Sequence, residues 1–333
     1  MGRPATLLLA LLLAACARPA GLVRLDGLTM GTTWSAQFAP QQDLDPRQVR
    51  AAIEAELDEV VAQMSTWRQD SDISRYNDAP AGSWHELPAA FAGVLAAALA
   101  LAEASDGYYD PTVGPLVELW GFGASGPRSE PPAEDEIATA RAQVGWQRLR
   151  FDPGGRLLQP GGVRLDLSSI AEGYAVDRMG QALERLGSHD YLVEIGGELR
   201  ARGRRPDGTP WRVAIEHPDT GAAPSVVLVL QDQAIATSGD YRRHFEHDGR
   251  RYGHAIDPHT GWPVAHGLAA VTVVAPDCMH AGSLASALSV LGPRRGMDFA
   301  LRHGIAARML VRGEEGDLQV LETPAFSALP RLH

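Results

Sequence analysis

The sequence predicts an α+β fold, a mostly antiparallel sheet with helices packed on one side. Three observations carry this. Apolar residues recur at helical spacing in three long segments, near 46–64, 88–104 and 169–186. Short strand-like runs, several joined by brief turns, dominate the chain from residue 191 onward. No segment repeats at a fixed period, and no long low-complexity linker interrupts the chain. With 333 residues, 45% of them hydrophobic, the chain can bury a large core as one domain or two closely packed ones.

In chain order, residues 26–38 read as an extended segment containing Met30-Gly31-Thr32-Thr33-Trp34-Ser35. Glycine and small hydroxyl residues beside a methionine suit backbone that approaches a ligand. Asp45-Pro46 has the cap and first-turn proline of a helix whose core face is Val49, Ile53, Leu57, Val60 and Met64. Ser65-Thr66-Trp67-Arg68 ends it, and a polar run over 70–77 follows. Trp67 there could stack on a flat ring or be half-buried core. A second amphipathic helix over 88–104 stops at Ser105-Asp106-Gly107. Tyr108-Tyr109-Asp110-Pro111-Thr112-Val113-Gly114-Pro115 is stiffened by its prolines, and rigid loops are where sites are built. A surface excursion over 125–132, a short helix over 134–143 and a hairpin pairing 149–151 with 157–158 come next.

Residues 165–177 then read as a short strand running through a polar turn into a helix. Ser169 and Glu172 have capping-box spacing, which starts the helix at Ser169. First-turn amides with Asp166 just ahead of them suit a phosphate and a bridging cation, although an ordinary capped helix has the same pattern. Strands follow at 191–195, 198–202, 211–216 and 226–230, with a Gly196-Gly197 break. Beyond the patch Ala236-Thr237-Ser238-Gly239-Asp240, residues 252–261 read as a strand entering a tight turn at Asp257-Pro258. A strand over 271–275 and a helix over 281–291, small-residued on one face, complete the main elements.

Composition narrows the chemistry. Net charge is −11, and all 30 basic residues are arginine. That balance argues against a nucleic-acid partner. Without lysine there is no Schiff base and no P-loop lysine, so a phosphate clamp must use guanidinium groups, backbone amides or a metal. No dinucleotide-binding or P-loop glycine signature and no His-Glu-x-x-His occurs. Six histidines between 244 and 280 lack ligand spacing for zinc. His254, at a strand end beside Asp257, could take a proton from an incoming hydroxyl or serve as a hydrogen-bonded structural histidine. Asp110, Asp166, Asp240 and Asp257 all fall at turns and together could hold a hard cation such as magnesium.

The N-terminus reads as an address: residues 1–15 a signal peptide, 16–25 a tether, 26–333 the folded domain. Arg3 precedes an apolar run, and Leu13-Ala14-Ala15-Cys16 has the form of a bacterial lipobox, with Cys16 the acylated residue. A plain cleaved secretory signal is the alternative. The run is too short to span a bilayer, whereas several acyl chains anchor firmly. Cys278 is then the one remaining cysteine, which leaves no internal disulfide.

Seven ordered patches together resemble the ApbE family, the FAD:protein FMN transferases. They are Met30-Gly31-Thr32, Ser65-Thr66-Trp67 with Asp70-Ser71, residues 109–116, residues 166–177, Glu194-Ile195-Gly196-Gly197-Glu198, residues 236–241 and His254-Ala255-Ile256-Asp257-Pro258. The resemblance implies a T-fold-like α+β core in a periplasm-facing, lipid-anchored protein. It further implies that the protein would bind FAD, use Mg2+ on the pyrophosphate and transfer FMN to a Thr or Ser of an acceptor flavoprotein, releasing AMP. Carried over by position, Met30, Trp67, Tyr108, Tyr109, Asp110, Asp166, Glu172, Thr237, Ser238, Gly239 and Ile256 would line the FAD site. His254 would be the base, and Ser169, Gly282 and Ser286 would lie at the metal. Two departures stand out. Gly282 and Ser286 replace an Asp and a Thr common in the family, which would shift the ligand set toward Ser169, Ser283 and Ser286. Glu172 stands where many relatives have Lys. FAD pyrophosphatase activity and non-catalytic FAD binding are the alternative functions.

Overall fold

The computed structural model describes residues 21–40, 44–152, 154–217, 226–240, 243–313 and 317–332. The lipobox and Cys16 lie outside them. Val23–Thr29 (β1) and Thr32–Phe38 (β2) form a hairpin, so residues 23–25 belong to a strand rather than to the tether. Its two-residue turn holds Met30 at φ 49° and Gly31 at φ 75°, the left-handed pair that matches the twist of the flanking strands. Helices Pro46–Met64 (α1), Asp72–Asn77 (α2), Ala89–Ala104 (α3), Gly114–Leu119 (α4) and Glu134–Arg141 (α5) follow, with the short strand Trp84–His85 (β3) between α2 and α3. The α1 prediction holds residue by residue: Asp45 accepts from the Arg47 amide at 2.8 Å, and all five predicted core residues are buried. The polar run over 70–77 is partly helix, because Ser71 caps α2 through the Ser74 amide and turns Ile73 and Tyr76 inward.

Leu157–Leu158 (β4) pairs with β3 and also runs back along 150–152 as the expected hairpin: Phe151 bridges Leu157, and the amides of Asp152 and Leu158 donate to the carbonyls of Arg156 and Arg150 at 3.0 and 2.9 Å. Ser168–Arg185 (α6) begins one residue early, without the Ser169 capping box; Asp166 instead accepts from the Ser168 amide at 2.8 Å. The predicted strand before it is reduced to one bridge, Val113 with Arg164. Beyond α6 come Tyr191–Ile195 (β5), Glu198–Arg202 (β6), Trp211–Ile215 (β7), Val226–Leu230 (β8), Gln233–Gly239 (β9), His244–His247 (β10) and Arg250–Gly253 (β11). The chain ends through Leu268–Ala275 (β12), Cys278–Arg302 (α7), Ala306–Arg312 (β13), Leu318–Glu322 (β14), Pro324–Ser327 (α8) and Arg331–Leu332 (β15).

Eight strands build the central sheet in the order β1-β2-β5-β6-β9-β12-β13-β14, each pair antiparallel. Strand β12 is buried along its whole length, as a central strand covered on both faces must be. α6 and α7 pack on one face, with α1 and α3 behind them around Trp34, Phe38, Ile53, Phe91 and Ile170. On the other face the small sheet β15-β8-β7 and α8 enclose Trp211, Leu228, Leu230 and Phe326. α4, α5, β10 and β11 form an annex around Trp120, where Phe245 and Tyr252 stack on the indole. No helix among the described residues is long and apolar enough to cross a membrane.

Candidate functional site

α6 and α7 run antiparallel past each other, and small residues set how closely. At one end the buried Asp177 carboxylate accepts the α7 amides of Cys278 at 3.0 Å and Met279 at 2.9 Å, and pairs with Arg200 at 2.8 Å. One turn back along α6, a Cβ on Gly173 would meet the Cys278 carbonyl oxygen at 2.2 Å. Only glycine permits that approach. One turn forward along α7, a Cβ on Gly282 would lie 2.7 and 2.8 Å from the two Glu198 carboxylate oxygens, one of which is also 2.9 Å from the Cβ position of Gly173. The same four-residue step leads to Ser169 in the first turn of α6 and to Ser286, two turns into α7.

Ser169 donates to the Tyr109 hydroxyl at 3.2 Å, which ties the α6 start to the rigid loop after α3. The Asp166 amide donates to the Pro111 carbonyl at 2.8 Å from the same loop. Tyr109 and Asp110 are both buried, and burial raises the pKa of each; for Asp110 it prevails over hydrogen bonds from the Thr112 hydroxyl and amide and from the Trp146 amide. Asp110 therefore braces the loop. It does not join Asp166, Asp240 and Asp257 in one carboxylate cluster, since Asp240 pairs with Arg312 at 3.1 Å and Asp257 accepts the His259 amide in its turn. Among the described residues no group of three His, Cys, Asp or Glu is arranged to hold a metal. The helix pair offers hydroxyl, carbonyl and carboxylate oxygens, a hard donor set of the kind Mg2+ takes with water completing the shell. Ser283 is not part of it, being buried and bonded back to the Met279 carbonyl at 2.8 Å.

Negative potential gathers at this crossing. Burial pushes the Cys278 thiol well up, and the charges of Glu198, Asp177, Glu172 and Asp277 push it further. Glu172 points to the Gly196 turn, where a Cβ would meet its Oε1 at 2.3 Å and the Thr32 methyl at 3.4 Å, so the hairpin carrying Met30 lies beside the α6 start.

Continuing along α7, Ser289 enters a cavity of about 440 Å3 lined by His254, Ser238, Gly239, Asp240, Arg251, His266 and Arg312. His254 Nδ1 lies 3.2 Å from the Arg243 carbonyl, which fixes the tautomer with Nε2 as the basic nitrogen. A second groove, about 650 Å3, shares Val264, Ala265 and His266 with the first and carries Tyr108, Arg250, Arg294 and Arg295. It opens at the kink of α7, where Gly292 takes φ 77° before Pro293. Arg295 bonds the Tyr108 hydroxyl and sits 5.4 Å over its ring, and His259 packs on that ring at 4.5 Å.

The structure thus joins Tyr109, Asp166 and Ser169 in one place, Glu172 and Gly282 in the adjoining helix pair, and Ser238, Gly239 and His254 in one cavity, with Tyr108 next door. Neither cavity is lined by Met30, Trp67, Asp166 or Ser286. Met30 and Trp67 are exposed, Trp67 at 59%. Thr237 bonds across the sheet to Thr272 at 2.9 Å, and the Ile256 side chain is enclosed by the annex core. Glu198 stands in one of the seven patches without a role of its own, and the arginines at 251, 294, 295 and 312 are not singled out by any sequence motif. The absence of lysine was the one signal that pointed to arginine.

A family model described as the ApbE family matches residues 30–309. The FAD:protein FMN transferase of Haemophilus influenzae is 39% identical over 319 residues, covering 92% of each chain. The solved flavinyl transferase ApbE of Pseudomonas stutzeri superposes with a TM-score of 0.86 at 43% identity, over 92% of this chain and 96% of that one. A histidine-to-glycine variant of the Vibrio cholerae flavin transferase ApbE gives 0.85 at 38% identity, over 92% and 99%. Fold and matches first define the class: the chain is a transferase. Within that class it belongs to the ApbE family.

Proposed function

We propose that this chain is an Mg2+-dependent FAD:protein FMN transferase, which cleaves the FAD pyrophosphate, attaches FMN through a phosphoester to a Thr or Ser of an exported or membrane flavoprotein, and releases AMP. The observation that carries this is the continuity of α7, which leads from Gly282 and Ser286 beside the α6 start to Ser289 in the His254 cavity. A pyrophosphate along that line has oxygen donors at one end and a base at the other. The names of the relatives, and the choice of a histidine for replacement in the Vibrio cholerae enzyme, support the same assignment.

His254 Nε2 takes the proton of the acceptor hydroxyl, whose oxygen attacks the FMN-side phosphorus. The bond from that phosphorus to the bridging oxygen breaks, and the bridging oxygen departs on AMP. Arg251 and Arg312, which border the cavity, offset phosphoryl charge that a lysine would meet elsewhere. The α6 N-terminus adds its amides and dipole. Mg2+, held at the Ser169 and Ser286 end of the helix pair, would polarise the phosphoryl oxygens as a Lewis acid. Tyr108, Met30 and Trp67 are left for the flat rings of FAD, by stacking or apolar contact. Acylation at Cys16 would hold the enzyme at a membrane surface facing the periplasm, where exported acceptors pass.

The test is FAD, Mg2+ and an acceptor flavoprotein, with flavin fluorescence read on the acceptor in a denaturing gel. Fluorescence on the acceptor together with AMP is the expected result; FMN and AMP without labelled acceptor indicates a pyrophosphatase, and intact FAD a binding protein. His254→Ala should retain FAD binding and slow transfer by about 10²–10⁴-fold. An unchanged transfer rate excludes His254 as the base.

A further inference from the structure

Position 282, on the α7 face that meets α6, has no side chain of its own, yet the space beside it is filled by a carboxylate. Glu198 is the first residue of β6, immediately after the Gly196-Gly197 turn, with those glycines at φ 57° and 96°. From there its side chain reaches into the helix crossing. Its oxygens lie 2.7 and 2.8 Å from a Cβ built on Gly282, a separation comparable to that of the oxygens of a carboxylate borne by residue 282 itself, two bonds from that carbon. The Cys278 thiol donates to Glu198 at 3.8 Å from the same helix. Glycine at 282 and glutamate at 198 are therefore sterically coupled: any side chain at 282 would displace the Glu198 carboxylate.

Resting on the metal-dependent reading above, we propose that Glu198 supplies, from β6, the carboxylate ligand of the divalent-cation site, in the place that a side chain on residue 282 would fill. Ser169 and Ser286, one turn further along α6 and α7, supply the neighbouring oxygens. A carboxylate with hydroxyl or carbonyl oxygens and waters is a donor set for Mg2+ or Mn2+ rather than zinc.

The experiment titrates the full chain in detergent, in the presence of FAD, with Mn2+, and follows the loss of the free-ion electron paramagnetic resonance signal. Wild type should bind Mn2+ at a saturable site displaced by Mg2+. Glu198→Gln, of the same size, should weaken binding by at least about tenfold while FAD binding and the melting temperature are kept. Glu198→Ala combined with Gly282→Asp moves the carboxylate back onto α7 and should restore Mn2+ binding. Wild-type affinity in Glu198→Gln overturns the assignment of Glu198 and leaves the metal-dependent reading standing. No Mn2+ binding by wild type overturns both. Should Glu198→Gln fail to fold, the exchange variant decides: folded without Mn2+ binding, it overturns the proposal.

Discussion

Asp177 is where the geometry of the helix crossing can be tested by stability. Its carboxylate, 5% exposed, accepts the Cys278 amide at 3.0 and 3.1 Å and the Met279 amide at 2.9 Å, and it faces the Arg200 guanidinium at 2.8 Å. Asp177→Ala removes the acceptor for two α7 amides and the anion for Arg200, whose next carboxylate, Glu184, is 4.0 Å away. Breaking one side of a buried, hydrogen-bonded pair costs about 3–5 kcal/mol. Asp177→Asn keeps one oxygen for the amides and forfeits the charge, so about 1.5–3 kcal/mol is expected. With a urea slope of about 3 kcal/mol per M, the alanine variant should lower the unfolding midpoint by about 1 M or more, and the asparagine variant by roughly half to the whole of that. The assay is urea unfolding followed by circular dichroism, with the slope compared between variants. Because Asp177 holds the first two α7 amides, just past the Asp277 cap, Asp177→Asn should also weaken Mn2+ binding at Ser286, two turns away. A midpoint shift for Asp177→Ala below about 0.3 M, under about 1 kcal/mol on that slope, would refute the claim that this carboxylate pins α7 to α6.

Gly173→Ala places a Cβ 2.2 Å from a backbone carbonyl of α7, an atom that cannot swing away. Overpacking of this kind costs about 1–3 kcal/mol, and a melting temperature equal to wild type would show that the helices can part freely. His280 bonds Asp277 through Nδ1 at 2.6 Å, and that bond raises its pKa above the usual value of about 6.5. The His280 contribution is thus complete below about pH 6.5 and is lost as pH rises through the folded-state value. Burial works against the Asp277 charge, but the hydrogen bonds from His280 hold its pKa below the usual carboxylate value of about 3.9, so its share is present above that pH and fades on acidification. The pair is half exposed, so its share of the change in unfolding free energy between pH 6 and pH 8.5 should be under about 1 kcal/mol, and that share should be missing from His280→Gln. Equal pH dependence in the two proteins counts against this.

Most of the fold could be read from local pattern. The α1 cap at Asp45, the buried faces of α1 and α3, and the stop at Asp106 and Gly107, which take φ 54° and 77°, follow from periodicity and cap chemistry that need no tertiary context. The failures came where tertiary contact overrode a local signal. Residues 70–77 look too polar for a helix, yet Ser71 caps one because Ile73 and Tyr76 find core partners on the far side. The Ser169 capping box was sound in spacing, but the loop after α3 pulls Ser169 toward Tyr109 and leaves Asp166 to take the first amide.

The site shows the same division more sharply. Each half of the helix crossing is visible as a stripe in the sequence: Ser169, Gly173 and Asp177 on α6, Cys278, Gly282 and Ser286 on α7, each spaced by four. Nothing local says that the stripes face one another in antiparallel register, because that is decided by the sheet beneath them and by the Asp177 carboxylate reaching across. Taken alone, Gly282 therefore looks like a lost ligand. Paired with Gly173 and opposite a strand that begins at Glu198, it becomes the opening through which a carboxylate from another element can enter. The same logic covers Asp110, which has the turn position of a cation ligand and whose carboxylate is instead claimed by Thr112 and Trp146 in forming the loop. Which oxygens can meet a cation is thus settled by what each carboxylate is already holding, and that is a property of the packed molecule.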